Sequence, residues 1–216
     1  MEKDGGKDGL LAKTRVLDLA DEKASFCSKV LADLGAHVTK VEKPGGDSSR
    51  KRGPFWENPG HPKESLSFLY NNTNKLGITL DLDYSIGREL FARLVRNTDV
   101  LVESFPPGYL DKLGLSFGFL SGLNPRIIMV SVTGFGQSGP RRDFKSCDLV
   151  ASALGGQMYV CGSPSLPPIK AHGQQSYLTA SLYAALGVLL ALRKRAKTGK
   201  GEHIDISLQD IEFVIL

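Results

Sequence analysis

Apolar residues in this chain form short continuous runs, separated by stretches in which they recur every third or fourth position. Short runs bounded by turn-forming residues are typical of strands buried in a sheet. The runs predict strands at Arg15 to Leu19, Val38 to Glu42, Gly77 to Leu80, Val100 to Glu103, Ile127 to Val132 and His203 to Ser207.

The stretches between the strands carry the spacing of helices with one buried face. It predicts helices at Ser25 to Leu34, Ile86 to Arg96, Leu149 to Val160 and Tyr177 to Ala196, with shorter ones near Gly108 to Leu113 and Phe117 to Gly122. Alternating strands and helices favour an α/β fold, with a mostly parallel sheet and helices on both of its faces.

Two segments depart from this alternation. The segment from Pro44 to Leu66 is rich in Gly and Pro and is predicted to be a long irregular excursion. The helix from Tyr177 to Ala196 is apolar nearly all round, which predicts burial either under the sheet or at a subunit contact.

Composition narrows the class of protein. With 216 residues, 41% hydrophobic and 23% charged, the chain predicts one substantial core, and its net charge of +4 is mild for a nucleic-acid binder. Three cysteines without metal-ligand spacing favour neither a disulfide framework nor a zinc site. The beginning has no secretory h-region, and the apolar run Leu182 to Leu192 is short for a membrane span, so we expect a cytoplasmic protein.

The most informative motif runs from Val102 to Gly108 and reads Val-Glu-Ser-Phe-Pro-Pro-Gly. The prolines and the glycine end the strand and form a turn, since proline can continue neither a ladder nor a helix. Ser104 and Phe105 are therefore predicted at the carboxyl end of a strand, where ligands bind in open α/β sheets.

This motif and several others, in order, resemble the class III CoA-transferases, the family of formyl-CoA and carnitine CoA-transferases and of methylacyl-CoA racemase. The other blocks are 15–19, 31–38, 40–47, 74–82, 113–115, 124–128, 131–140 and 198–208. The resemblance covers nearly the whole chain. It implies a Rossmann-like fold, coenzyme A or acyl-CoA as substrate rather than as a prosthetic group, and an interlaced homodimer.

In that family an aspartate at the head of the long helix attacks the acyl-CoA thioester, and CoA then passes to an acceptor acid through an enzyme-CoA thioester. The resemblance places Tyr177 at this catalytic position, or Ser176 if one residue is inserted. Neither residue is a carboxylate, and only a carboxylate gives the reactive anhydride. A plain helix start capped by Ser176 is the structural alternative.

Asp148 matches an acidic residue that assists some family members, and it also reads as the N-cap of a helix starting at Leu149. Two-base racemase chemistry is disfavoured, since Cys147 stands where the racemase has its histidine. His172 is the nearest candidate base, although a surface histidine is the simpler interpretation.

For CoA binding, the resemblance implies contacts to the nucleotide and its phosphates, with the backbone near Asp21 to Lys23 flanking the pantetheine. The residues implied are Lys43, Leu80, Ser104, Phe105, Lys112 and Lys145. The acidic groups of Asp21, Glu22 and Asp83 work against an anionic ligand at this place.

These observations predict a flexible segment at 1–13 and a CoA-transferase large-domain portion at 14–216, ending before the family's small second domain. The expected function is transfer of CoA between an acyl-CoA and a carboxylic acid. The alternative is a non-catalytic CoA-binding or assembly subunit that needs a catalytic partner chain. A nicotinamide dehydrogenase is disfavoured because no GxGxxG motif follows the first strand. Neither a nucleic-acid nor a membrane partner is expected.

Overall fold

All six strands of the described chain form one parallel sheet. The computed structural model describes residues 9–57, 61 and 63–214. Its strands are β1 (Arg15–Asp18), β2 (His37–Glu42), β3 (Leu76–Thr79), β4 (Val100–Glu103), β5 (Ile128–Thr133) and β6 (His203–Ser207). They are ordered β3-β2-β1-β4-β5-β6, so the strand order reverses between β1 and β4. This is the Rossmann order, and every predicted strand is confirmed, displaced by at most one residue at either end.

Helices cover both faces of the sheet, as predicted. They are α1 (Ser25–Asp33), α2 (Leu66–Asn71), α3 (Ser85–Val95), α4 (Tyr109–Lys112), α5 (Phe117–Leu123), α6 (Asp148–Leu154), α7 (Gln157–Val160), α8 (Gln175–Thr198) and α9 (Leu208–Val214). One core joins α1 and α8 to the sheet residues that share a face with Val16, Val100 and Val130. The other lies on the opposite face, around Leu17, Leu101 and Phe91 of α3.

Two predictions need correction, and two short helices were not predicted. The helix predicted from Leu149 to Val160 is two helices, α6 and α7, because Gly156 takes a positive φ of 94° that interrupts the helix. The segment from Pro44 to Leu66 is less irregular than predicted, since it contains a 3-10 helix over Ser48–Lys51, capped by the Asp47 side chain. The short helices α2 and α9 were not predicted as separate elements.

The beginning of the domain lies slightly before the predicted boundary. Residues 1–8 of the predicted flexible segment lie outside the described residues. Leu11 is buried in the core, and its N–H donates to the Leu34 carbonyl at 3.0 Å. Residues 9–13 therefore form part of the folded domain, a correction to the predicted segment 1–13.

Helix α8 is buried on one side only. Ala180, Ala184 and Val188 face the core, whereas the side chains of Leu182, Leu186 and Leu190 are 50%, 52% and 62% exposed. Of the two predicted environments for this helix, packing beside the sheet is present. By length and composition alone α8 could also cross a membrane, a test that the core helix of a soluble protein passes as well.

Candidate functional site

A cleft of about 320 Å³ opens at the carboxyl ends of β1 to β4, where the strand order reverses. Such switch points are where open α/β sheets bind ligands, because the loops on either side diverge. Four of the six residues predicted to bind CoA line the cleft together: Lys43, Leu80, Ser104 and Phe105. The sequence motifs after three different strands thus meet in one place.

The turn after β4 is fixed by hydrogen bonds to the loop after β1. The Ser104 hydroxyl accepts from the backbone N–H of Asp21 at 2.9 Å and donates to the Asp21 carboxylate at 2.7 Å. Gly108 has a φ of 75°, a value that favours glycine, and it immediately precedes α4. The predicted turn is confirmed, and Ser104 serves to tie two walls of the cleft together.

Aromatic residues form one wall of the cleft. The rings of Phe105 and Tyr109 lie 4.6 Å apart with a tilt of 33°, and the Tyr109 hydroxyl donates to Asp83 at 3.3 Å. Sequence reasoning missed Tyr109. Tyr109 lies four residues after Phe105, at the start of a short helix that follows a strand, and this position would have predicted it as a second aromatic residue of the cleft.

Most acidic groups of the cleft already have a cationic partner. The Glu42 carboxylate accepts from Nε and Nη2 of Arg50 at 2.6 and 2.7 Å. Burial raises the pKa of Glu42, but the Arg50 hydrogen bonds, the Asp47 N–H and the charges of Arg50 and Lys40 together outweigh burial and hold that pKa below its ordinary value. Lys43 is exposed on the cleft wall, where its ammonium can meet an anion.

Lys112 and Lys145 lie outside this cleft. Lys112 is the exposed last residue of α4, and Lys145 is exposed in the loop before α6. Within the described chain neither belongs to the cleft wall. Their assignment to CoA binding stays a prediction.

A buried charge network lies beneath the loop that follows β1. Asp18 is fully buried and accepts from the Lys75 ammonium at 2.8 Å, with the Lys40 ammonium at 3.9 Å. Lys40 also pairs with Asp47 at 3.0 Å and donates to the Ala20 carbonyl. Burial alone would raise the pKa of Asp18, yet the two lysines hold it below its ordinary value. The network therefore fixes the loop that carries Asp21 against β2.

Tyr177, which the sequence resemblance assigned to the catalytic position, is a buried structural group. Tyr177 lies in the first turn of α8; its hydroxyl accepts the backbone N–H of Asp148 at 3.1 Å, and its side chain is part of the core between this helix and the sheet. Burial, and then the nearby charge of Glu22, raise the pKa of Tyr177 to about 12. A phenol with that pKa is protonated at neutral pH and is a weak nucleophile.

Asp148 and Ser176 stabilise the start of α8. The Asp148 carboxylate accepts the backbone N–H of Ser176 at 2.9 Å and pairs with Lys170 at 2.6 Å. Asp148 was predicted to cap the helix that starts at Leu149, and Ser176 to cap the long helix. Instead α6 begins at Asp148 itself, and this carboxylate satisfies a free N–H at the N-terminus of α8. His172 is exposed in the preceding loop, as the simpler interpretation predicted.

The comparisons with known proteins agree with this geometry. The model of CoA-transferase family III matches residues 11–215. The chain is 40% identical, over 95% of its length, to a succinyl-CoA:(R)-benzylsuccinate CoA-transferase subunit BbsE from Thauera aromatica. It is 42% identical, over 94% of its length, to a succinyl-CoA–L-malate CoA-transferase beta subunit from Chloroflexus aurantiacus.

The same assignment follows from the fold. A crystal structure of a CAIB/BAIF family protein from Brucella suis superimposes with a TM-score of 0.91 and 38% identity, covering 96% of this chain and 55% of that one. The chain spans about half, 50%, of the length of both relatives named above. A switch-point cleft, a strand-turn motif and a family match over nearly every residue lead to one assignment: the chain belongs to CoA-transferase family III.

Proposed function

We propose that this chain binds the CoA moiety of an acyl-CoA within an enzyme that transfers CoA to a carboxylic acid, and that a partner chain supplies the reacting carboxylate. The observation that carries the proposal is the contrast between two places in the domain. The cleft at the switch point has aromatic and cationic side chains that suit a nucleotide, whereas Tyr177, which the sequence resemblance assigned to the nucleophile position, is a buried phenol.

The features of the cleft suit the parts of CoA. The aromatic pair Phe105 and Tyr109 offers a surface on which a base can stack. Lys43 offers a point charge for a phosphate. Asp83, on the same wall as Tyr109, is an acceptor for an amino group and disfavours a phosphate there, so the base and the phosphates are expected to lie at opposite ends.

The names of the relatives support a partner chain. Two of the most similar ones are called subunits of CoA-transferases that use succinyl-CoA. By analogy we propose an acyl-CoA such as succinyl-CoA as the donor and a short carboxylic acid as the acceptor. We also propose a cytoplasmic location, where the free thiols of Cys27, Cys147 and Cys161 would stay reduced.

Reversing the charge of Lys43 should weaken CoA binding. In Lys43→Glu a phosphate-facing cation becomes an anion, and we expect the affinity for CoA to fall by about tenfold or more. Titration calorimetry with CoA measures the change. Lys200→Glu is the matched control, because Lys200 is an exposed lysine just before β6, at the opposite edge of the sheet.

Equal affinity in Lys43→Glu and the wild type would remove Lys43 from the site. Absence of measurable binding by the wild type would refute the CoA-binding function itself. Thermal unfolding of each variant shows whether the fold is intact.

The exposed leucines of α8 should lie in a subunit contact. Leu182, Leu186 and Leu190 form a stripe along the helix, and exposed apolar stripes of this kind mark interaction surfaces. We expect the chain to form a dimer or to require its partner, and Leu186→Glu to dissociate it. Light scattering behind size exclusion over a dilution series tests this, and a monomer at high concentration would contradict it.

A further inference from the structure

A separate pocket, of about 560 Å³, lies between the loop after β1, helix α2 and the loop before α8. Glu22 comes from the first of these elements, Phe68 and Asn71 from α2, and His172 from the loop before α8. The pocket shares no lining residue with the CoA cleft. Its volume is within the range of pockets that bind small molecules, roughly 300–1,000 Å³.

The Glu22 carboxylate in the wall of this pocket has a partner for one of its two oxygens. The Glu22 side chain is 10% exposed, and its Oε1 pairs with Nη2 of Arg52 at 2.8 Å. The other oxygen, Oε2, is buried and has no hydrogen-bond partner among the described residues. Arg52 is 57% exposed, so water screens much of its charge. The buried carboxylate is therefore incompletely compensated.

The same pocket holds a second buried acceptor without a donor. Asn71 is the last residue of α2, and its Oδ1 is buried with no hydrogen-bond partner in the described part of the chain. An unpaired buried acceptor costs free energy, and folded proteins usually satisfy it with a protein group, a water or a ligand. Two such oxygens in one pocket, from Glu22 and Asn71, indicate a ligand that brings hydrogen-bond donors.

The electrostatics around Glu22 favour a ligand with a positive charge. Burial, and then the charge of Asp21, raise the pKa of Glu22 above its ordinary value. Arg52 and Lys23 act in the opposite direction without cancelling the rise. A primary ammonium brings three N–H donors and a positive charge, and its hydrogen bonds to a carboxylate are strong. A water molecule would bring donors alone.

Apolar groups in the pocket suit a short carbon chain attached to the ammonium. Phe68 is 7% exposed, and it lines the pocket together with Pro54. Burying a few methylene groups against such a wall adds to the affinity of a small ligand. A primary amine with a short alkyl chain therefore matches both the polar and the apolar parts of the pocket.

We propose that this pocket binds a small primary amine, whose ammonium donates hydrogen bonds to Oε2 of Glu22 and Oδ1 of Asn71. Because the two sites share no lining residue, the proposal does not depend on CoA binding. The charge of Glu22 also predicts selectivity. An alcohol of the same chain length brings one donor and no charge, and a carboxylate is repelled by Glu22.

The test titrates isotope-labelled protein with n-butylammonium, 1-butanol and n-butyrate and follows the side-chain amide resonance of Asn71 by NMR. Absence of this resonance in Asn71→Leu identifies it. We expect n-butylammonium to bind saturably, and at least about tenfold more tightly than the other two probes. Glu22→Gln should weaken its binding by about tenfold or more, because glutamine keeps the shape without the charge. Glu202→Gln, at an exposed acid beside Lys194, is the control that should bind like the wild type.

Absence of a saturable shift with n-butylammonium would overturn the proposal and assign the two oxygens to bound water. Equal binding of 1-butanol would overturn it as well, because the pocket would then recognise no charge. Preference for n-butyrate would make Arg52 the recognising group instead of Glu22. Thermal unfolding shows whether Glu22→Gln is folded, and the comparison of the three probes in the wild type decides the question without that variant.

Discussion

Replacing Lys40 with methionine should lower the free energy of unfolding by about 3–5 kcal/mol, the cost typical of breaking a buried ion pair by removing one partner. Lys40 is 2% exposed and lies between the carboxylates of Asp18 and Asp47. Loss of the Lys40 ammonium removes the paired cation from Asp47, one of the two paired cations from Asp18, and the hydrogen-bond donor from the Ala20 carbonyl. Urea unfolding measures the change.

The control is Lys194→Met, the same substitution at an exposed ion pair. Lys194 pairs with Glu202, and the two side chains are 62% and 34% exposed. Exposed pairs of this kind contribute little, so a loss of about 1 kcal/mol or less is expected there. If the two variants unfold alike, the network beneath the β1 loop contributes no more than a surface pair.

The isolated chain should not exchange CoA between succinyl-CoA and short carboxylic acids, and Tyr177→Asp should not restore exchange. A new carboxyl group at this position would be buried and would lie near the charges of Glu22 and Asp21, so burial first and then these charges are expected to raise its pKa and favour the protonated, unreactive form. It would also be too short to replace the phenol as acceptor for the Asp148 N–H. The assay follows labelled CoA in the wild type and the variant.

Robust exchange by the unmodified chain would contradict this prediction. Asp148→Asn would then show whether that carboxylate reacts, because asparagine keeps the oxygen that accepts the Ser176 N–H but cannot form an anhydride. Thermal unfolding provides the control for the integrity of α8.

The strands were predictable because their residues obey simple rules. Val100 to Glu103 is a short apolar run, and a Pro-Pro-Gly turn follows it. The bounds of the helices were harder to predict where a glycine ends the helix. The break between α6 and α7 lies at Gly156, whose positive φ ends the first helix, and the neighbouring Gly155 lies so close to Glu212 of α9 that a side chain there would collide with it.

The candidate site was predictable only where a motif ends a strand. Ser104 and Phe105 follow β4 directly, and the parallel sheet brings them to the same edge as Lys43 and Leu80. Lys112 and Lys145 follow turns whose geometry a sequence does not specify, so their distance from the cleft could not be predicted. Lys40 occupies an inward-facing position of β2, which charged residues seldom take, and its partner Asp18 lies on β1.

Strand β3 is the edge of the sheet, and all four of its residues are exposed. It is bonded to the sheet only through β2, so within the described domain its amide hydrogens should exchange with solvent among the fastest of the strands. The cleft wall formed by Leu80 to Asp83 continues directly from this strand. A ligand bound to that wall should stabilise the hydrogen bonds that hold β3 to β2. We therefore expect CoA to slow hydrogen exchange in β3 more than in the central strands. Occupancy of the cleft would then stabilise the least protected part of the sheet.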